Sequence, residues 1–295
     1  MIFKETVFSI GKWLTTAWLF IANSIGSLVL IGIILVFAFG LFSSSTTTPN
    51  ISQKVIEEGG LDKVAIVNLS GPIVESAGSS DPLALSPEIV ASRRVLPLLD
   101  HLAEDDSVKV VMLRINSPGG AVVPSDEIYR KVLELREKKP VVASMGDTAA
   151  SGGYYIAAGA NKIIANPATI TGSIGVIAQF PEVSGLFNKL GVEMRTFKTG
   201  EFKDIGSVTR EVTAAEDEII TNMINEMYSL FVQAIVDGRQ MDEAKVRELA
   251  DGRIYTGLQA KENGLIDELG NYDYSIEYAS SLAGIDNPTV VEYSD

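Results

Sequence analysis

Apolar positions fall into an unbroken N-terminal run, a polar gap, and a long region where short apolar runs alternate with segments of helical period. From Trp13 to Phe42 no residue is ionisable, and positions 26–42 are almost wholly aliphatic or aromatic. About 20 mostly apolar residues cross the hydrocarbon core of a bilayer, so this run predicts one transmembrane helix. Its first part, with Trp13 and Trp18, suits the membrane interface or a tilted extension of the helix. The competing reading is a cleaved secretory signal, whose apolar region usually runs about 7–15 residues to a small-residue site. Residues 43–59 (SSSTTTPNISQKVIEEG) read as a linker. The expected organisation is a cytoplasmic N-terminus and anchor over 1–43, a linker over 44–61 and one folded domain over 62–295.

Within that domain, 63–73 (KVAIVNLSGPI) predicts a strand ending at a Gly-Pro turn, and 87–105 an amphipathic helix with Ile89, Val90, Val95, Leu98, Leu99 and Leu102 on one side. A continuous apolar strand over 108–115, a glycine turn, a helix over 124–138 and a second apolar strand over 140–145 follow. Strands with no polar alternation, joined through helices, imply parallel pairing with right-handed crossovers, so the class is α/β. Further strands are predicted over 162–165, 174–179 and 192–198, with a helix over 181–190 and an irregular stretch over 199–212. A long helix over 214–237 has an acidic first turn and Thr213 as its expected N-cap, and a shorter helix is predicted over 242–251.

Composition narrows the chemistry. The chain has no cysteine and one histidine among 295 residues. Disulfides, thiolate nucleophiles and thiolate-bound metals are excluded, and Ser-His-Asp catalysis would compete with any histidine metal site for His101. His101 lies on the 87–105 helix, ahead of the core strands, where a surface or packed role fits better. The net charge is -14, and Lys4 and Lys12 against Glu5 leave the anchor region positive, so the remainder is more acidic still. That argues against nucleic-acid binding and against a body pressed onto an anionic leaflet. The lysines before the span and the uncharged stretch after it put the N-terminus in the cytoplasm and the domain outside.

Two glycine-rich turns follow the two central strands, at the strand ends where α/β sheets gather functional groups. The first is Asn116-Ser117-Pro118-Gly119-Gly120. It reads as a tight turn, or as an oxyanion hole in which glycines let backbone N–H groups approach a reacting carbonyl. The second is 147–155 (DTAASGGYY), where small neighbours leave the Ser151 hydroxyl uncovered ahead of a helix. Ser151 is thus either a displayed nucleophile or a helix N-cap. A nucleophilic serine needs a base, and lysine can supply one when burial favours its neutral amine. Lys203, in 198–207 (KTGEFKDIGS) beside Phe202 and Ile205, is the candidate, against the plain reading of a solvated loop lysine.

INSPGG, 144–177 (SMGDTAASGGYYIAAGANKIIANPATITGSIGVI), FKTGEFKDIGS and 252–270 (GRIYTGLQAKENGLIDELG) together resemble the signal peptide peptidase A family of serine peptidases. That family is related to the Clp protease proteolytic subunit and the crotonases. The resemblance runs in order from about Asp62 to Gly270 and implies a Clp protease/crotonase-like fold of repeated β-β-α and βαβ units in a peptidase domain. It implies Ser151 as nucleophile, Lys203 as general base, Ser173 as the hydroxyl that orients the lysine, and an oxyanion hole from Gly119 with the N–H of Ser151 or Gly152. Gly120 could supply the same amide as Gly119. It also implies no cofactor and no metal, peptide substrates such as signal peptide remnants, and a homo-oligomeric ring or dome in which Ser and Lys meet across a subunit boundary. The expected location is the cell (inner) membrane, single-pass, with the catalytic domain on the outer side. Two rivals remain: a crotonase-like acyl-CoA enzyme, which shares the glycine-built oxyanion hole, and a non-catalytic membrane scaffold.

Overall fold

A computed structural model describes residues 51–76 and 88–294. The anchor expected over 1–43 and the first part of the linker lie outside them. The chain divides into two compact units at Thr48/Pro49, and the described residues belong to the second.

The core of that unit is a nine-stranded, mainly parallel sheet. Its central strands are β2 (Lys63–Ser70), β5 (Val108–Ser117) and β6 (Val141–Ala150), all parallel to one another in that order. Their continuous apolar sequences arise because both faces are covered. Ala65, Val67, Val111, Leu113 and Ala143 face the main core, where helices α1 (Ser92–Glu104), α2 (Val122–Arg136) and α3 (Gly152–Ala158) pack. Val64, Val110 and Val142 face the other side with Ala279 of α8 (Tyr272–Leu282). Period-two alternation therefore sorts two apolar sets rather than an apolar and a polar one.

β6 changes partner along its length. Val142–Ser144 pair with β7 (Lys162–Ala165), and Thr148–Ala150 pair with β8 (Ile170–Gly172). The strand predicted to end at 145 therefore runs on to deliver residue 151 at its tip.

Four sequence expectations change. Residues 52–57, expected inside the linker, form strand β1 (Ser52–Glu57), antiparallel to β11 (Thr289–Ser294). Its side chains are all exposed, so an edge strand held by backbone hydrogen bonds kept a linker's composition. The sheet accordingly begins before Asp62. Residues 174–179 and 192–198 form no strand, because among the described residues no strand pairs with them, and Ile177 and Phe197 are 81% and 95% exposed. The helix predicted from 87 starts at Ser92, since Val90 and Ala91 pair with Ile73 and Val74.

The helix predicted over 214–237 is α5 (Ala214–Arg239), closed by a capping box in which Thr213 and Glu216 satisfy each other's backbone N–H. Its C-terminal half buries Phe231, Val232, Ala234 and Ile235, while Ile219, Met223 and Leu230 stay exposed. It approaches α3 so closely that a methyl group on Gly238 would run into the Ala158 carbonyl. Among the described residues it is also the one helix long and apolar enough to cross a bilayer, judged by length and composition.

Candidate active site

Ser151 occupies the turn between β6 and α3 with φ 51° and ψ -121°, a conformation that non-glycine residues adopt only when their surroundings enforce it. The enforcement is visible on both sides. Its N–H donates to the Gly172 carbonyl at 2.8 Å, extending the β6–β8 ladder, and its carbonyl accepts from Tyr155 N at 2.9 Å, opening the helix. The side chain makes no capping hydrogen bond, which removes the N-cap reading.

The glycines around Ser151 are required by close approach. An added methyl on Gly152 would strike Ser125 Oγ, and one on Gly153 would lie 2.9 Å from the Ser117 carbonyl. Gly119 has φ +101°, and its methyl would lie 2.7 Å from both Gly152 N and Ser151 Cβ. The two glycine turns are thus packed backbone against backbone.

Their hydrogen bonds distinguish Gly119 from Gly120. Gly119 N donates to the buried Ser117 Oγ at 3.1 Å, and Gly119 O accepts from Ile73 N at 3.0 Å. Ala121 N donates to Ile73 O at 2.9 Å, so Gly120 forms a parallel bridge to Ile73 and turns its own N–H to the opposite side. Among the described residues that N–H has no partner, and a methyl on Gly152 would lie 3.3 Å from it. The Gly152 N–H, first in α3, has no intrahelical acceptor either. Two unpaired amides thus flank the serine.

Ser151, Gly120 and Gly152 line one cavity of about 120 Å³, walled by Val122, Tyr155, Ile177 and Phe231. The Tyr155 and Phe231 rings are 4.7 Å apart, and Tyr155 OH donates to Asp126 at 2.9 Å. Burial, then this hydrogen bond, raises the Tyr155 hydroxyl above its ordinary pKa, so it stays a neutral wall.

Ser173 directly follows Gly172, has φ 48°, and donates its N–H to Arg253 O at 2.8 Å. Lys203 lies in a run of turns over 201–206; it is exposed, does not line the cavity, and its amine makes no hydrogen bond or ion pair among the described residues. The chain brings Ser151, Gly119, Gly120, Gly152 and Ser173 together, and among the described residues no side-chain hydrogen bond or ion pair joins Lys203 to them. The neighbouring Lys198 is engaged, donating to Asp204 Oδ1 at 2.7 Å and to Glu201 O. His101 is exposed on α1, with its ring near Tyr293.

Ser117, Ser125 and Ile73 were not singled out from sequence, although each shapes this site. Ser117 sits inside the INSPGG motif, but nothing local reveals that its hydroxyl would occupy the Gly119 amide.

Comparison with known proteins adds the following. The model of peptidase family S49 matches residues 134–286, and that of Clp protease matches residues 86–171. A putative protease of Methanocaldococcus jannaschii is 38% identical over 266 residues, covering 90% of this chain and 85% of its own. A putative signal peptide peptidase SppA of Enterococcus faecium is 39% identical over 247 residues, covering 83% and 71% respectively. Protease 4 of Haemophilus influenzae is 36% identical over 233 residues, 78% of this chain and 36% of that longer protein.

Proposed function

Because this chain belongs to peptidase family S49 and is therefore a serine peptidase, we propose that it is a membrane-anchored endopeptidase working through Ser151 and Lys203. The observation that carries the reading is Ser151 held at positive φ beside the unpaired amides of Gly120 and Gly152, lining a cavity walled in part by Val122, Tyr155, Ile177 and Phe231.

Ser151 Oγ attacks the scissile carbonyl while the neutral amine of Lys203 takes its proton. The negative charge moves to the carbonyl oxygen, where the N–H groups of Gly120 and Gly152 receive it. Gly120 is preferred to Gly119 because the Gly119 amide already bonds Ser117. The resulting ammonium returns the proton to the departing amine, leaving an acyl-Ser151. Lys203 then deprotonates water, which attacks the ester, and the proton passes back to Ser151 as the carboxylic acid leaves. Ser173 orients the amine.

In a homo-oligomer the Lys203 amine of one subunit reaches Ser151 of a neighbour. Two facts support this: Lys203 is exposed in the single chain, and the same region exposes Ile177, Leu186, Leu190, Met194 and Phe197. An assembly would cover these apolar groups and desolvate the amine together. The substrates are peptides left at the membrane, signal peptide remnants first, with an apolar side chain in the cavity and the active sites outside the inner membrane.

The test is hydrolysis of a fluorogenic peptide by the full detergent-solubilised chain. Ser151→Ala and Lys203→Ala should each lower kcat by about a thousandfold or more, and the double variant should be scarcely worse, because members of one catalytic unit are not additive. A Lys203→Ala variant keeping a tenth of wild-type activity would remove lysine as base.

A further inference from the structure

The run of turns that carries Lys203 is built around one guanidinium. Arg210 Nε and Nη2 donate to Asp204 Oδ2 and Oδ1 at 2.9 and 2.8 Å, and Nη2 also reaches the Asp204 carbonyl at 3.2 Å. On its other edge, Nη1 donates to Glu216 Oε2 at 2.8 Å and to Glu211 O at 3.0 Å, and Nη2 donates to Glu216 Oε1. Arg210 therefore grips two carboxylates, each through two bonds, a geometry that a point-charge ammonium cannot reproduce.

Each carboxylate is attached to something that matters. Asp204 immediately follows Lys203 and also takes the Lys198 amine. Glu216 is buried, accepts Thr213 N at 2.9 Å and completes the cap of α5, whose C-terminal half is embedded in the core. The chain of bonds runs from the packed helix through Glu216 and Arg210 to the residue beside the amine. Apart from this network, the turn is held by 3.0–3.3 Å backbone bonds such as Lys203 N to Gly200 O and Ser207 N to Asp204 O. Two cations, Lys198 and Arg210, balance two anions, Asp204 and Glu216, within the network.

We infer that Arg210 is a positioning residue for the reaction: by clamping Asp204 to the buried cap of α5, it fixes where the Lys203 amine is presented to Ser151. This rests on Lys203 being the base. Displacement of a catalytic group by about 1 Å costs roughly a hundredfold in rate. Arg210→Lys, which keeps the charge but loses the double grip, should lower kcat by about 10- to 100-fold with KM changed less than about threefold. Asp204→Asn should lower kcat in the same direction while leaving the α5 cap intact.

The discriminating experiment is a double-mutant cycle on the full detergent-solubilised chain, following turnover of an activated ester and covalent labelling of Ser151 by a fluorophosphonate. Circular dichroism and oligomer mass serve as fold controls. If Arg210 acts through Lys203, Arg210→Lys should cost nothing further in a Lys203→Ala background, where only the serine and its amides remain. An equal loss in both backgrounds would make Arg210 a general structural residue and overturn the inference. So would wild-type kcat in the folded Arg210→Lys and Asp204→Asn variants. Full activity of Lys203→Ala itself would overturn the premise, and is read from that variant alone.

Discussion

The contact between the two glycine turns makes a quantitative prediction for Gly119→Ala. The new methyl group would sit 2.7 Å from Gly152 N and Ser151 Cβ and 3.1 Å from the Ala150 carbonyl, all groups with little room to move. Two costs combine. A non-glycine residue at φ +101° costs about 1–2 kcal/mol, and forcing a methylene into a filled site costs about 1–3 kcal/mol. The expected loss of stability is therefore about 2–5 kcal/mol. Gly284→Ala separates the two, because Gly284 has φ +69° and open space where its methyl would go, so it should lose only the conformational part. In Gly119→Ala the backbone that yields carries the nucleophile, so labelling of Ser151 by a fluorophosphonate should slow by about a hundredfold for a displacement near 1 Å. Urea unfolding and labelling rates of the two variants beside wild type make the assay. Equal unfolding midpoints for both variants, with wild-type labelling of Gly119→Ala, would refute the claim that the turns are in enforced contact.

Two further outcomes follow from charged groups. Arg239 Nη1 pairs with Asp267 Oδ2 at 2.9 Å with side chains 8% and 19% exposed; burial alone would raise the Asp267 carboxyl, but the Arg239 hydrogen bond and charge hold it below its ordinary range. Arg239→Met should destabilise by about 1–3 kcal/mol, since Asp267 keeps Lys162 Nζ at 3.4 Å and the Ile163 N–H at 2.8 Å, and an unchanged urea midpoint would contradict this. The Arg210 hydrogen bonds hold Asp204 well below the usual carboxylate range and Glu216 down at about 2. Because folding lowers both values, their stabilisation is complete above the ordinary carboxylate range, about pH 4–4.5, and is lost as pH falls toward 2. Circular dichroism should then be unchanged between about pH 7 and 5 and should lose its native signal only as pH falls toward 2. A change in circular dichroism already complete at about pH 5 would contradict this.

What could be read from the sequence follows burial. Strands β2, β5 and β6 announced themselves because both faces are covered, which leaves an unbroken apolar record. The long helix was equally visible through Thr213 and its acidic first turn. Ser151 stood out because only small residues surround it. Residues 52–57 hid as a linker because backbone pairing at a sheet edge leaves no mark on side chains, and 174–179 and 192–198 misled because apolar alternation was present without a partner strand. The choice between Gly119 and Gly120 turns on a bridge to Ile73, over 40 residues away, which no local pattern contains. The clamp at Arg210 was hidden for another reason: Asp204, Arg210 and Glu216 are spaced by six, a period that belongs to neither helix nor strand.

The central claim is that the Ser151 hydroxyl is a nucleophile made reactive by the Lys203 amine. Intact-mass and peptide-mapping analysis of the full chain after fluorophosphonate treatment addresses it most directly. The account predicts one adduct per chain, mapped to Ser151, forming at least about a hundredfold more slowly in Lys203→Ala. An adduct on any other residue, or an unchanged rate without Lys203, would contradict it.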